Sequence, residues 1–313
     1  MIKTNLHNIY VVMYHYVREK NNNNFPNLNF LEFKEFRRQI KYFKKNFNIL
    51  DNNQFCEILN SKKIPKKKSI LLTFDDGYFD HYHYVYPELF KNKISGLFYP
   101  TVDTIEKNVL LDVNKIQLVL EKEKNRDKLL KNIFQLLNKF KNKEKFISNI
   151  QRIELKSRWD DKKTIMIKKL LQYYLPKKIR TQILEKLFNE IVSIEEKKLS
   201  KIFYLNKKQI KEMNSNGMTF GGHGHKHFWL GKLKRDDQEN DIKKSINFFK
   251  KLRIYDNNFS FCYPYGSFNN ETIKILKKFK VKFGLTTIKN SLKKSNIKER
   301  FIIPRFDTND FKY

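Results

Sequence analysis

The sequence predicts an α/β protein built on a parallel sheet, with a Lys-rich helical segment inserted into the sheet-forming part. Three observations carry this. Ile70 to Phe74 is a short run of branched or aromatic residues that follows the solvated Pro65-Lys66-Lys67-Lys68 and stops at Asp75-Asp76-Gly77. A run so short and so uniformly apolar reads as a buried parallel strand, because a helix needs a longer periodic stretch. After it come a helical segment, Asp80 to Asn92, and a second apolar run, Ile94 to Tyr99, stopped by Pro100. Strand, helix and strand in that order make a βαβ unit and so a parallel pairing. Third, the rhythm returns at Met218-Thr219-Phe220 after a glycine-free stretch with only helical periodicity.

From the N-terminus, Ile9 to Tyr14 reads as a first buried strand leading into His15 and Tyr16, and the Asn-rich 21–24 as a loop. Phe33, Phe36, Ile40, Phe43 and Phe47 recur every three or four residues, the period of an amphipathic helix. Ile49-Leu50 predicts a short strand and Gln54 to Leu59 a short helix. Pro87 marks a kink or a second start inside the helix that follows Asp76. Residues 103–200 form the insertion, with apolar faces at Ile179, Ile183, Leu187 and Ile191 and around Ile133, Phe134 and Leu137, while 1–102 and 201–313 supply the sheet. Beyond Phe220 comes a helix carrying Ile242, Ile246, Phe249 and Leu252, then the strand Phe259 to Cys262 and the turn Tyr263-Pro264-Tyr265-Gly266. A helix opening at Asn270 as N-cap follows. Strands at Val281 to Leu285 and Ile302 to Asp307 close the chain.

A chain of 313 residues, 40% hydrophobic and 15% aromatic, buries a full core and is no disordered tail. Its formal net charge of +32 would draw anionic partners such as nucleic acid, membrane lipid or acidic glycan. Lysines are spread along the whole length and outnumber arginines, which points to a compositional habit more than to a binding patch; no nucleic-acid motif accompanies them, so no specific nucleic-acid partner is expected. Two cysteines, Cys56 and Cys262, give neither a disulfide framework nor a Cys-based metal site. The N-terminal residues are polar, and the run Ile9 to Met13 is too short to span a membrane and lacks a small-residue cleavage site. A cytoplasmic location is the expectation.

The chemistry gathers at two strand ends. Asp75-Asp76 lies at the C-terminal end of a strand, where α/β folds place their active sites, and alternation lets the two carboxylates take different roles. An Asp-Gly pair is equally at home in a plain turn. Three of the seven histidines, His223, His225 and His227, fall within five residues just after another strand. Either His223 with His227, or a pair drawn from the alternating trio, supplies two ligands to one ion. Asp76 completes a His, His, carboxylate set with open positions, the pattern of catalytic zinc and some ferrous sites. Such an ion lowers the pKa of bound water to about 7, and Asp75 next door is placed to act as general base on it.

These residues carry a resemblance. Thr73-Phe74-Asp75-Asp76-Gly77 resembles the first motif of the polysaccharide deacetylase family (carbohydrate esterase family four, the chitooligosaccharide deacetylase homology domain). His223-Gly224-His225-Lys226-His227 is similar to its second motif, and Phe261 to Gly266 to its third. Tyr14-His15 and Gly96 to Pro100 fit the same pattern, so the likeness covers most of the chain outside the insertion. The resemblance implies a distorted (β/α) barrel of fewer than eight strands, a divalent metal, and hydrolysis of an N-acetyl or related N-acyl group on a sugar. Carried over, Asp75 is the base and Asp76, His223 and His227 hold the metal, with His225 as the alternative ligand. Zinc is the expected ion, with other first-row metals as alternatives. Tyr265 and its backbone N–H are implied to hold the tetrahedral oxyanion.

Two departures stand out. Many members have an arginine where this chain has Cys262, so nothing in the third motif tunes Asp75. The late Leu-x-His that supplies a general acid is not visible, and Arg305 and Asp307 occupy the tail. The branch of the family acting on poly-N-acetylglucosamine takes its acid histidine from an early strand, a role His15 would fill; a satisfied histidine at a strand end is the other reading. His81 and His83 read as surface or packing residues, Tyr82, Tyr84 and Tyr86 as core-facing or capping. Trp229 is either buried or a platform for a sugar ring. The function expected is metal-dependent removal of an N-acyl group, most simply acetyl, from an amino sugar in a surface glycan or its nucleotide- or lipid-linked precursor. A phosphate-bearing substrate is one expectation, and the basic surface would suit peripheral contact with an anionic membrane. The rivals are a catalytically silent relative that binds glycan or anionic lipid, and a nucleic-acid binder driven by charge alone.

Overall fold

A computed structural model of the chain describes residues 5, 8–21, 25–141, 155 and 160–311. Of the expected loop at 21–24, residues 22–24 lie outside the described residues, as do 142–154 and 156–159 of the expected insertion. Among the described residues ten strands run β1 (Ile9–Tyr14), β2 (Val17–Arg18), β3 (Leu31–Glu32), β4 (Asn48–Leu50), β5 (Ser69–Asp76), β6 (Leu97–Pro100), β7 (Thr219–Phe220), β8 (Phe261–Cys262), β9 (Gly284–Leu285) and β10 (Phe306–Asp307). The central strand is β5, buried over its whole length. On one side it pairs with β1, from Ile9↔Ser69 to Tyr14↔Phe74; on the other it pairs with β4 near its start and β6 near its end. The order β10-β1-β5-β6-β7 continues through the bridge Gly222↔Phe261, the β8–β9 pair and the bridge Leu285↔Ile303. The last of these bridges lies in the segment that becomes β10, and β10 pairs with β1, so the ladder returns to its start. All these pairings are parallel. The ring is a (β/α) barrel of seven strand segments, short of eight, as the resemblance implies.

Alternation along the strands sorts the core into two layers. Ile70, Leu72 and Phe74 of β5 join Tyr10, Val12 and Tyr14 of β1 under the helices, including Phe36, Ile40 and Phe43 of helix Phe33–Asn46. Leu71 faces the other way, into a cluster drawn from around the ring: Val11, Leu97, Tyr99, Cys262, Leu285 and Ile303. That cluster is the barrel interior. Thr73 and Asp75 follow Leu71 on the same face, so the interior turns polar toward the C-terminal ends of the strands.

Several elements differ from expectation. The late strands are shorter than the apolar runs that announce them, because their ends are held by single bridges and not by continuous ladders. The cap of helix Asn270–Lys278 is Asn269, whose side chain accepts from Thr272 N–H. Pro87 falls in the first turn of helix Tyr86–Lys91, and the turn before it, His81–Val85, widens so that Tyr86 N–H donates to His81 C=O. The missing proline N–H is the local reason for that wider turn.

By internal contacts the chain forms two compact units. The first comprises Met1–Asn23, Asn29–Asn108 and Ser200–Tyr313, and contains the barrel. The second comprises Asn24–Leu28 and Val109–Leu199. The sequence sets that boundary at 103, but Asp103 N–H donates to His225 C=O at 2.9 Å, which ties helix Val102–Lys107 into the first unit. Within the second unit Ile133, Leu137, Ile179, Ile183 and Leu187 are buried, and the Lys115 ammonium sits between Glu185 and Glu196 at 2.5 and 3.0 Å. Among the described residues no helix is long and apolar enough to cross a membrane.

Candidate metal centre and its neighbouring carboxylate

The two aspartates diverge by backbone conformation as well as by alternation. Asp75 keeps the extended form and points into the barrel, whereas Asp76 has φ 69° and Gly77 φ 72°. That left-handed pair turns the Asp76 carboxylate toward the histidine loop. A side chain at Gly77 would put Cβ 2.4 Å from the Pro100 Cβ, so the turn requires glycine.

Asp76, His223 and His227 converge. Asp76 Oδ1 lies 3.3 Å from His223 Nε2 and 3.2 Å from His227 Nε2, and all three residues are buried. A tetrahedral ion with bonds of about 2.0–2.1 Å separates its ligand atoms by about 3.3–3.4 Å, so this spacing suits one. Asp76 Oδ1 has no hydrogen-bond partner in the structure, while Oδ2 accepts from the Tyr78 hydroxyl at 2.7 Å. His223 Nδ1 donates to Cys262 C=O at 2.8 Å, which directs Nε2 at Asp76; burial pushes this imidazole down, but its Cys262 and Asp76 neighbours hold it well above its ordinary value, so a cation binding at Nε2 displaces a proton. Burial raises the Asp76 carboxyl, but the His227 and His223 imidazoles override it and hold it well below the usual carboxylate range. Burial also pushes the His227 imidazole down, favouring the neutral, ligating form. An orphaned buried carboxylate oxygen facing two imidazole nitrogens fits a divalent cation. His225 is not part of the set: its Nε2 faces Asp103 Oδ1 at 3.5 Å. His227→Ala should therefore weaken metal binding at least about a hundredfold, beyond the roughly 10–100-fold that changes behind the ligands cost. Titration calorimetry with Zn²⁺ checks this, and unchanged affinity counts against the site.

The loop geometry has its own support. Asp241, buried on helix Arg235–Lys251, accepts from His225 N–H at 2.8 Å and Lys226 N–H at 3.1 Å. Gly224 at φ 72° passes so close that a Cβ there would meet Asp241 Oδ2 at 2.8 Å.

Asp75 is tuned from outside the third motif. Arg305 Nη1 and Nη2 donate to its two oxygens at 2.9 and 2.7 Å, and Nε donates to Thr286 C=O. An arginine in the last strand segment thus reaches the position that Cys262 leaves without a charge. Cys262 lies beside the pair, its thiol 3.5 Å from Asp75 Oδ2 and 3.1 Å from Arg305 Nη2. Burial pushes the Asp75 carboxyl up, yet Arg305 prevails and holds it at about 2. Asp75, His223 and Cys262 also place ligand atoms within 4.8 Å of one another, but a buried guanidinium alongside opposes a cation there.

His15 reaches the same place from the end of β1. Its Nε2 stands 4.0 Å from Asp75 Oδ2, with the side chain 43% exposed. Tyr265, at φ 57°, packs its ring 4.5 Å from that of His227 and stacks on Trp229 at 4.5 Å and 10°. Trp229 is half-buried against that tyrosine. Tyr82, Tyr84 and Tyr86 are half-buried, and His83 is exposed. His81 is fully buried, with its Nε2 on His15 C=O. Sequence reasoning missed Arg305, Tyr78 and Asp241. Only Tyr78 carried a hint, by following the Asp-Asp-Gly turn directly.

The profile of the polysaccharide deacetylase family matches residues 62–284. The chain belongs to the polysaccharide deacetylase family. That family comprises hydrolases of carbon–nitrogen bonds other than peptide bonds. This deacetylase-family chain is 34% identical over 82 residues to the Bacillus subtilis (strain 168) protein YxkH, itself assigned as a polysaccharide deacetylase; the match spans 26% of this chain and 27% of YxkH. Its fold is shared with the Streptococcus pyogenes deacetylase PplD, solved in complex with acetate (TM-score 0.59, 18% identity, 97% of this chain and 93% of that one). It is shared as well with IcaB from Ammonifex degensii (0.58, 16%, 96% and 92%) and the BpsB deacetylase domain from Bordetella bronchiseptica (0.57, 14%, 98% and 98%).

Proposed function

We propose that the protein is a metal-dependent amide hydrolase that removes an acyl group, acetyl in the simplest case, from an amino sugar of a surface glycan or its nucleotide- or lipid-linked precursor. The observation that carries this reading is the meeting of Asp76, His223 and His227 with a separate, ionised Asp75 alongside. A divalent cation held by the first three, zinc in this reading, would supply Lewis acidity at the acyl carbonyl and acidify a water to a pKa of about 7. Asp75, ionised at any working pH, accepts the proton of the attacking water. Arg305 holds that carboxylate in a single orientation by two hydrogen bonds. His15, at the open edge, donates a proton to the departing amine. Tyr265 is placed beside His227 to steady the oxyanion, a contribution of about 2.7–4 kcal/mol per donor in other hydrolases. The silent-relative alternative rested on the missing arginine and the missing late histidine; Arg305 answers the first of these. The two cysteines are buried free thiols, which accords with a reducing cytoplasmic setting, and the net charge of +32 with phosphate-bearing substrates or an anionic membrane face.

The deciding experiment is acetate release from N-acetylated amino sugars by protein stripped with a chelator and then reloaded with Zn²⁺ or another first-row ion. Release that returns with metal supports the reading. Equal release by the stripped protein, or none from any such sugar, overturns it.

A further inference from the structure

We propose that His81 is a positioning residue that holds His15 at the edge of the site; the inference deepens the hydrolase reading and rests on it. His15 sits between β1 and β2, outside either ladder, and its exposed side chain is not fixed by packing. Its backbone carbonyl accepts from His81 Nε2 at 2.8 Å. A carbonyl can only accept, so the proton is on Nε2 and Nδ1 is the bare nitrogen. That Nδ1 is buried with no hydrogen-bond partner in the structure. The His81 ring packs against Phe74, Tyr78 and Phe98, 5.6 to 5.8 Å from centroid to centroid. Burial pushes the imidazole down to about 4, so it is neutral and keeps one N–H.

Packing alone does not account for a histidine here. Leucine or phenylalanine would fill an aromatic pocket without stranding a ring nitrogen in it. What only the imidazole provides is one donor aimed at the backbone that carries His15. The wide turn His81–Val85 starts at this residue, and turns of this kind recur at functional sites. Its first anchor, Tyr78 C=O, accepts from His81 N–H at 3.0 Å, and the Tyr78 hydroxyl binds Asp76. One short segment, 78–81, therefore steadies both a metal ligand and the candidate acid.

The test is a double-mutant cycle read as kcat for deacetylation by metal-loaded enzyme: His81→Leu, His15→Ala, and both together. If His81 acts through His15, His81→Leu lowers kcat by about tenfold, part of the 10²–10⁴ that a positioned acid provides, with KM and metal affinity unchanged. The same substitution then has no further effect in the His15→Ala background. His81→Gln, which keeps an N–H donor, recovers most of the rate. A loss that persists without His15, or wild-type kcat in His81→Leu, overturns the proposal. Should the unmodified enzyme release no acetate from any amino sugar, the hydrolase reading fails by itself. Crystal structures of the unmodified protein and His81→Leu then decide the positioning claim: a displaced His15 backbone upholds it, an unmoved one overturns it.

Discussion

Asp75→Asn is expected to lower kcat by about 10²–10⁴-fold while the protein still binds one divalent ion per chain. The two halves of that expectation come from different residues. The candidate ligand set is Asp76, His223 and His227, which does not include Asp75. The amide keeps the volume of the carboxylate but has no basic oxygen to take the proton from water. It also presents one acceptor where Arg305 now finds two, so one guanidinium donor loses its partner. Some loss of stability accompanies the variant, and metal stoichiometry on the folded protein separates that from the catalytic loss. Full turnover per bound ion would sink the mechanism. A related point concerns pH. A general base works best with a pKa near the operating pH, and Arg305 holds Asp75 at about 2. The arginine therefore trades basicity for orientation and permanent ionisation, so an acid limb of the rate profile near neutrality belongs to another group.

The barrel and the convergence of the candidate ligands were legible because each rests on local pattern. The β5 run, the Asp-Asp-Gly stop and the His-x-x-x-His spacing are all contiguous in the chain, and strand alternation carries them directly into space. His15 was legible for the same reason, as the residue at the end of β1 beside β5. Arg305 was not. Its partner lies 230 residues away, and its role appears only when the ring closes and the last segment returns to β1. For His81 the sequence left surface and packing open, and the structure takes packing: the ring is fully buried where the wide turn His81–Val85 begins. Asp241 sits mid-helix among charged neighbours, and nothing in its sequence context distinguishes a solvated carboxylate from one that holds the ligand loop.

Arg305→Met is expected to destabilise the metal-free protein by about 3–5 kcal/mol at pH 7, the range for removing one partner of a buried ion pair. Both groups are buried and share two hydrogen bonds, so methionine leaves the Asp75 carboxylate charged, dry and unopposed. The sign of the pH dependence distinguishes this from simple loss of packing. In the wild type the folded carboxyl titrates at about 2 against an ordinary 3.8. That difference contributes on the order of 2 kcal/mol, present above pH 4 and lost as pH falls from about 4 toward 2. In the variant, burial is opposed only by the lesser pull of His223 and His15, so the folded carboxyl rises from about 2 and protonation relieves the strain. The deficit against wild type should therefore be widest near neutrality and narrow steadily on acidification, as read from urea unfolding at a series of pH values. A packing defect would give a deficit independent of pH, and a variant as stable as wild type at pH 7 would show that the guanidinium does not hold Asp75 at all.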